Sequence, residues 1–131
     1  MQAFVAGATK ELVGQLVQRA QRKNGVAVVA EIVDVRDADH LLALADQVRD
    51  RLAPAAVALG AKVQDKGMLI VSVSREIGSL HAGNIAKRAI GVAGGGGGGS
   101  PQLGRAGGAD PGRLAQAVEE AKLAILSGLG E

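Results

Sequence analysis

The sequence predicts an α/β fold, with helices packed on a small mixed sheet, and three observations carry that expectation. Val26–Val35 reads VAVVAEIVDV, a β-branched run apolar at nearly every position, as in a strand buried on both faces. Segments on either side repeat apolar residues at three- and four-residue spacing, the mark of amphipathic helices. The order that results is a helix followed by β-α-β-β-α-loop-β-α, which calls for a sheet with helices laid against it.

Residues 2–23 read as the first helix, with Val5, Ala8, Leu12 and Leu16 as its stripe, widened by Val13 and Val17, and Asn24-Gly25 as its left-handed cap. This stripe needs cover from the domain or from a second copy, so a homodimer through residues 2–23 is one expectation. After the strand, Asp37 or Asp39 caps a helix running to Leu52, with Leu41, Leu44, Ala45 and Val48 on its apolar side and Pro54 as its stop. Ala55–Lys62 and Gly67–Ser74 form a hairpin through Gln64-Asp65-Lys66-Gly67. A third helix covers Leu80–Val92. Ile85, Ala89 and Val92 lie on its apolar face, and Asn84, Lys87, Arg88 and Gly91 on another. Gln102–Ala106 is a short strand, and Asp110 caps a last helix with Pro111 at its first position and Leu114, Val118, Ala121 and Ile125 as its stripe.

Phe4 is the only aromatic residue in 131, so the core is aliphatic and the usual side chains for stacking unpaired bases are missing. The absence of cysteine excludes disulfides and thiolate metal sites and fits a reducing compartment; the expectation is a cytoplasmic protein. No apolar run has the length of a membrane span, so no membrane partner is expected. Net charge is only +2, but it is unevenly placed: residues 1–24 and 61–93 each carry +3, residues 25–60 carry −3 and residues 94–131 carry −1. Basic residues thus gather ahead of the first strand and ahead of the glycine run, a weak polyanion footprint.

That run, Gly94-Gly95-Gly96-Gly97-Gly98-Gly99-Ser100-Pro101, is closed by Gly107-Gly108. Six glycines lose much chain entropy on ordering and add no side chain to a core. A flexible linker is one reading. A structured loop is the other, since bare backbone N–H groups approach phosphate or sugar oxygens closely. Lys87 and Arg88 lead into the run; as cations near a helix C-terminus they also offset its dipole.

Catalytic motifs are lacking. Gly94, Gly96 and Gly99 satisfy the dinucleotide spacing G-x-G-x-x-G trivially, but the run follows a helix and leads into Ser100-Pro101. His40 and His81 are isolated, Asp34, Asp37 and Asp39 suit strand-end and capping roles, and a Ser79/His81 pair is better explained by Ser79 capping a helix. No cofactor is expected. The chemistry points to binding.

The pattern G-G-G-G-G-G-S-P-x-x-x-x-A-G-G-x-D, from Gly94 through Arg105, Gly107 and Gly108 to Asp110, resembles the glycine-rich signature of DHHA1 domains, in the version that closes alanyl-tRNA synthetases. The likeness extends upstream to the helix containing Asp46 and Arg49 and to Ala82-Gly83, and covers residues 25–131 as one globular unit with its glycine-rich loop at 94–108. Residues 1–24 resemble the end of the helical segment that precedes such domains. The resemblance implies a non-catalytic appendage that holds tRNA at its elbow and serves aminoacylation and editing, with the remaining synthetase domains as partners. The expected RNA contacts are Gly94, Gly95, Gly96, Gly97, Gly98, Gly99, Pro101, Gly107 and Gly108, which the resemblance implies, joined by Lys87, Arg88, Ser100 and Arg105, which lead into the run or lie within it. Gly96 and Ser100 stand where lysine and arginine are frequent in the family, and Arg105 supplies charge nearby. Two alternatives are the substrate-holding half of a DHH phosphoesterase, in which the glycine loop typically carries a histidine, and a dimerisation module.

Overall fold

The computed structural model describes residues 9–129, and the expected helical residues 2–8, Val5 and Ala8 among them, lie outside that range. The elements are α1 (Thr9–Gln18), β1 (Gln21–Lys23), β2 (Val26–Ile32), α2 (Ala38–Leu52), β3 (Ala55–Val63), β4 (Lys66–Val73), α3 (Ala82–Val92), β5 (Gly96–Gly99), β6 (Leu103–Ala109), a 3-10 turn (Pro111–Arg113) and α4 (Leu114–Gly128). Six strands form one mixed sheet in the order β1-β2-β3-β4-β6-β5, with β2 and β3 parallel and the other pairs antiparallel. The α/β class, with helices on a mixed sheet, is therefore the one the sequence predicts.

Each face of the sheet carries its own core. On one, α3 and α4 pack Ala86, Ile90, Val118, Ala121 and Ile125 against Val28, Leu69, Val71 and Ala106. On the other, α1 and α2 pack Leu12, Leu16, Leu41, Leu44 and Val48 against Val29, Val57, Leu59 and Ile70. Alternation along each strand supplies both faces, as the apolar β2 and β3 sequences require.

The first helix is shorter than expected. Asn24 and Gly25 both take positive φ (54° and 81°), and they join β1 to β2 instead of ending a helix. Two consecutive left-handed residues match the right-handed twist of a hairpin, so Asn-Gly turn chemistry prevails over helical periodicity here. Within α1, Leu12, Val13 and Leu16 are buried in the domain's own second core, so the described part of that stripe is already covered.

Asp37 is the cap of α2; its carboxylate accepts the His40 N–H at 2.8 Å. Asp37→Ala should cost about 1 kcal/mol and lower the thermal midpoint by roughly 4 °C, a shift that calorimetry reads directly. Helix α2 ends before Pro54, with Leu52 as its last residue. The last helix begins as the sequence indicates: Asp110 accepts the Gly112 N–H at 2.9 Å and Pro111 opens the 3-10 turn that leads into α4.

Candidate nucleic-acid interface

The glycine run is neither a linker nor an open loop. Gly96–Gly99 form the edge strand β5, paired residue for residue with β6: Gly96 with Gly107, Gly97 with Ala106, Gly98 with Arg105 and Gly99 with Gly104. Ser100, Pro101 and Gln102 make the turn. Ser100 N–H donates to the Leu103 carbonyl at 2.9 Å and its Oγ accepts the Leu103 N–H at 3.1 Å, so the hydroxyl is occupied within the turn.

Helix α3 holds this hairpin by its first turn. Ala82 and Gly83 donate their N–H groups to the Pro101 and Ser100 carbonyls, both at 2.9 Å, and Asn84 donates to His81 Nδ1 at 3.1 Å. The donors that begin a helix without intrahelical partners are thus spent inside the fold and form no anion site. The cap is His81 rather than the expected Ser79. His40 acts similarly beside α2, accepting the Arg36 N–H at Nδ1 at 3.2 Å. Both histidines are therefore local acceptors; among the described residues no cluster of three or more potential metal ligands occurs.

The glycines divide by what surrounds them. A Cβ on Gly83 would lie 2.5 Å from the Gly99 carbonyl carbon and oxygen, one on Gly95 would lie 2.7 Å from Ile90, and one on Gly97 would meet Ala106 at 2.6 Å. One on Gly104 would fall on the Ala82 carbonyl oxygen. Gly94, Gly99 and Gly108 have φ of 85°, 150° and 74°, which side chains resist. Gly108 lies where Gly107 and Gly108 together oppose Met68, a bulge between β4 and β6. Gly96, Gly98 and Gly107 have neither reason: each has open space where a Cβ would be and no positive φ.

Those three lie on one side of the hairpin. Residues directly opposed in an antiparallel ladder share a face, and Ile70, which belongs to the α2 core, stands opposite Arg105, itself opposite Gly98. Alternation puts Gly96 and Gly107 on the same face. The result is a side-chain-free ledge with the exposed Arg105 beside it and half-buried Leu103 and Met68 along its inner border. Sequence reasoning does not find Met68, because its place beside Gly107 depends on the β4–β6 register and bulge.

The two lysine and arginine candidates on α3 separate. Helix α3 lies on the opposite face of the sheet from Arg105. Lys87 is one turn on from Gly83, the residue pressed on β5, and so shares the flank of α3 nearest the sheet edge. Arg88 turns to α4, where its Nε lies 3.5 Å from Glu120 Oε2.

Helices on both faces of a mixed sheet that ends in a bare glycine hairpin, with Arg105 exposed on one face, make this an aliphatic α/β domain. The chain belongs to the DHHA1 domain family, which it matches over residues 24–126. It is 41% identical over 115 residues to an alanine–tRNA ligase of Desulfosudis oleivorans, covering 87% of this chain and 13% of that protein. It is 42% identical over 108 residues to the alanine–tRNA ligase of Anaeromyxobacter dehalogenans, covering 82% and 12%. The chain therefore spans about an eighth of the length of these curated relatives. In structure it is similar to the C-Ala domain of Aquifex aeolicus alanyl-tRNA synthetase, with a TM-score of 0.70 at 25% identity over 82% of this chain and 97% of that one. RecJ from Thermus thermophilus shares the fold, with a TM-score of 0.58 at 13% identity over 88% of this chain and 17% of that one. Among the described residues no helix is long and apolar enough to cross a membrane.

Proposed function

We propose that this chain is the non-catalytic, tRNA-holding C-terminal module of an alanyl-tRNA synthetase, acting in the cytoplasm. The elbow of the folded tRNA docks on the ledge of the β5–β6 hairpin, and the rest of the enzyme aminoacylates and edits the tRNA so held. The observation that carries this reading is the bareness of Gly96, Gly98 and Gly107, for which neither packing nor backbone conformation gives a reason. A surface without Cβ atoms lets sugar and phosphate oxygens reach peptide N–H groups, and an edge strand has unpaired ones to offer. Arg105 on the ledge and Lys87 at the sheet edge supply the attraction; Arg88 contributes less because Glu120 already offsets it. Contacts of this kind position a folded RNA by shape and carry no base code.

The test is a titration of the chain with intact tRNA and with an unstructured RNA of equal length. Tighter binding to tRNA supports shape recognition, and equal affinity for the two removes it. Two phosphate-contacting cations give an expected slope of about −2 in log K against log salt concentration. Arg105→Glu should weaken binding several-fold and bring that slope about one nearer zero; an unchanged slope would move the contact elsewhere.

A further inference from the structure

Between the end of α2 and the hairpin turn lies a cavity of about 370 Å3 whose walls include Arg49, Asp50, Ala53, Arg75, Glu76 and Gln102. We propose that this cavity takes one unpaired nucleobase of the docked RNA, stacked on the guanidinium plane of Arg49. This deepens the tRNA-holding reading and rests on it.

The edges of Arg49 are already bonded. Nη1 donates to Ser72 Oγ at 2.8 Å and to Asp46 Oδ1 at 3.1 Å, while Nε and Nη2 meet Asp50 Oδ1 at 3.0 and 2.9 Å. Two carboxylates balance its charge, which makes it a poor phosphate ligand. With its edges engaged, only the faces of the group are left for a ligand, on a side chain that lines the cavity and is 24% exposed. Guanidinium planes serve as stacking surfaces for splayed-out bases. In a chain without Trp or Tyr, whose single Phe4 lies outside the described residues, a fixed guanidinium is the natural substitute for an aromatic ring.

Position and lining agree with this ligand. Ser72 stands opposite Leu103 in the ladder, so Arg49 flanks the hairpin on the face that carries Arg105. Gln102 belongs to the hairpin turn itself and offers an amide, a group able to bond base edges in both senses. Asp50 and Glu76 repel phosphate but accept from the amino groups of bases. The volume is at the low end of the range for small-molecule sites, suited to one nucleoside.

Titration with adenosine and guanosine 5′-monophosphate, followed by NMR with ribose 5-phosphate as control, tests the site apart from tRNA docking. Shifts at Arg49 Nε–H and the Gln102 side-chain amide are expected with the nucleotides only. Ala53→Leu fills the cavity from an exposed position, and Arg49→Lys keeps the charge but loses the plane. Each should abolish the Gln102 amide shift, the probe that both variants keep, and weaken tRNA binding at least threefold with the far-UV spectrum unchanged. Equal shifts with ribose 5-phosphate, or wild-type tRNA affinity in Ala53→Leu, would overturn the proposal. Nucleotide shifts in a wild-type chain that fails to bind tRNA would support the nucleobase site and overturn the tRNA reading.

Discussion

Gly83→Val is expected to dislodge the hairpin from α3 at a cost of about 3 kcal/mol or more, at the upper end of what overpacking does, because the atoms it would meet are the Gly99 backbone and not a movable side chain. The added Cβ would lie 2.5 Å from the Gly99 carbonyl, and relief requires separating α3 from β5. Separation also breaks the two N–H bonds from Ala82 and Gly83 to the hairpin turn. Gly91 gives the control, since it lies in the same helix with nothing within 4 Å of its missing Cβ. Gly91→Ala should be stabilising by about 0.5–1 kcal/mol through helix propensity alone. Denaturant unfolding of the two variants therefore moves in opposite directions. Equal shifts would mean that α3 does not seat on the glycine strand as described.

Much of this architecture is legible in the sequence because local chemistry and tertiary packing agree. The β-branched run at Val26, the Asp37 and Asp110 caps and the turn at Gln64-Asp65 each signal what forms there, and the last pair takes φ of 52° and 67° in the turn. Two strands are not legible, for different reasons. Residues Gln21–Lys23 continue a helical spacing, and only the two-residue Asn-Gly turn, pairing them back on β2, makes them a strand. Residues Gly96–Gly99 have the lowest strand propensity available and no alternation to read; they are a strand because β6 pairs with them and α3 presses on one side.

The candidate site was legible as a segment but not as a surface. Glycine content singles out residues 94–108, yet six glycines look alike in sequence. Only the neighbours of each missing Cβ separate Gly95 and Gly97, which packing requires, from Gly96 and Gly98, which it does not. The sidedness of Arg105 likewise depends on the β4–β6 register, and the diversion of Arg88 depends on α4 lying beside α3.

The triple variant Gly96→Ala/Gly98→Ala/Gly107→Ala should keep the fold and lose the RNA. Each new methyl group enters open space on the ledge, and replacing glycine at a compatible backbone conformation restricts the unfolded chain. The thermal midpoint should therefore hold or rise, by the equivalent of about 0.4–1 kcal/mol per site. The same three methyl groups stand between a docked sugar-phosphate strand and the peptide groups beneath, and the expected loss of tRNA affinity is at least tenfold. Titrating this variant and the wild-type chain with intact tRNA, with unfolding monitored in parallel, is the most direct measurement: a tenfold or greater loss in a fully folded variant is the predicted result, and wild-type affinity in the same folded variant would contradict it.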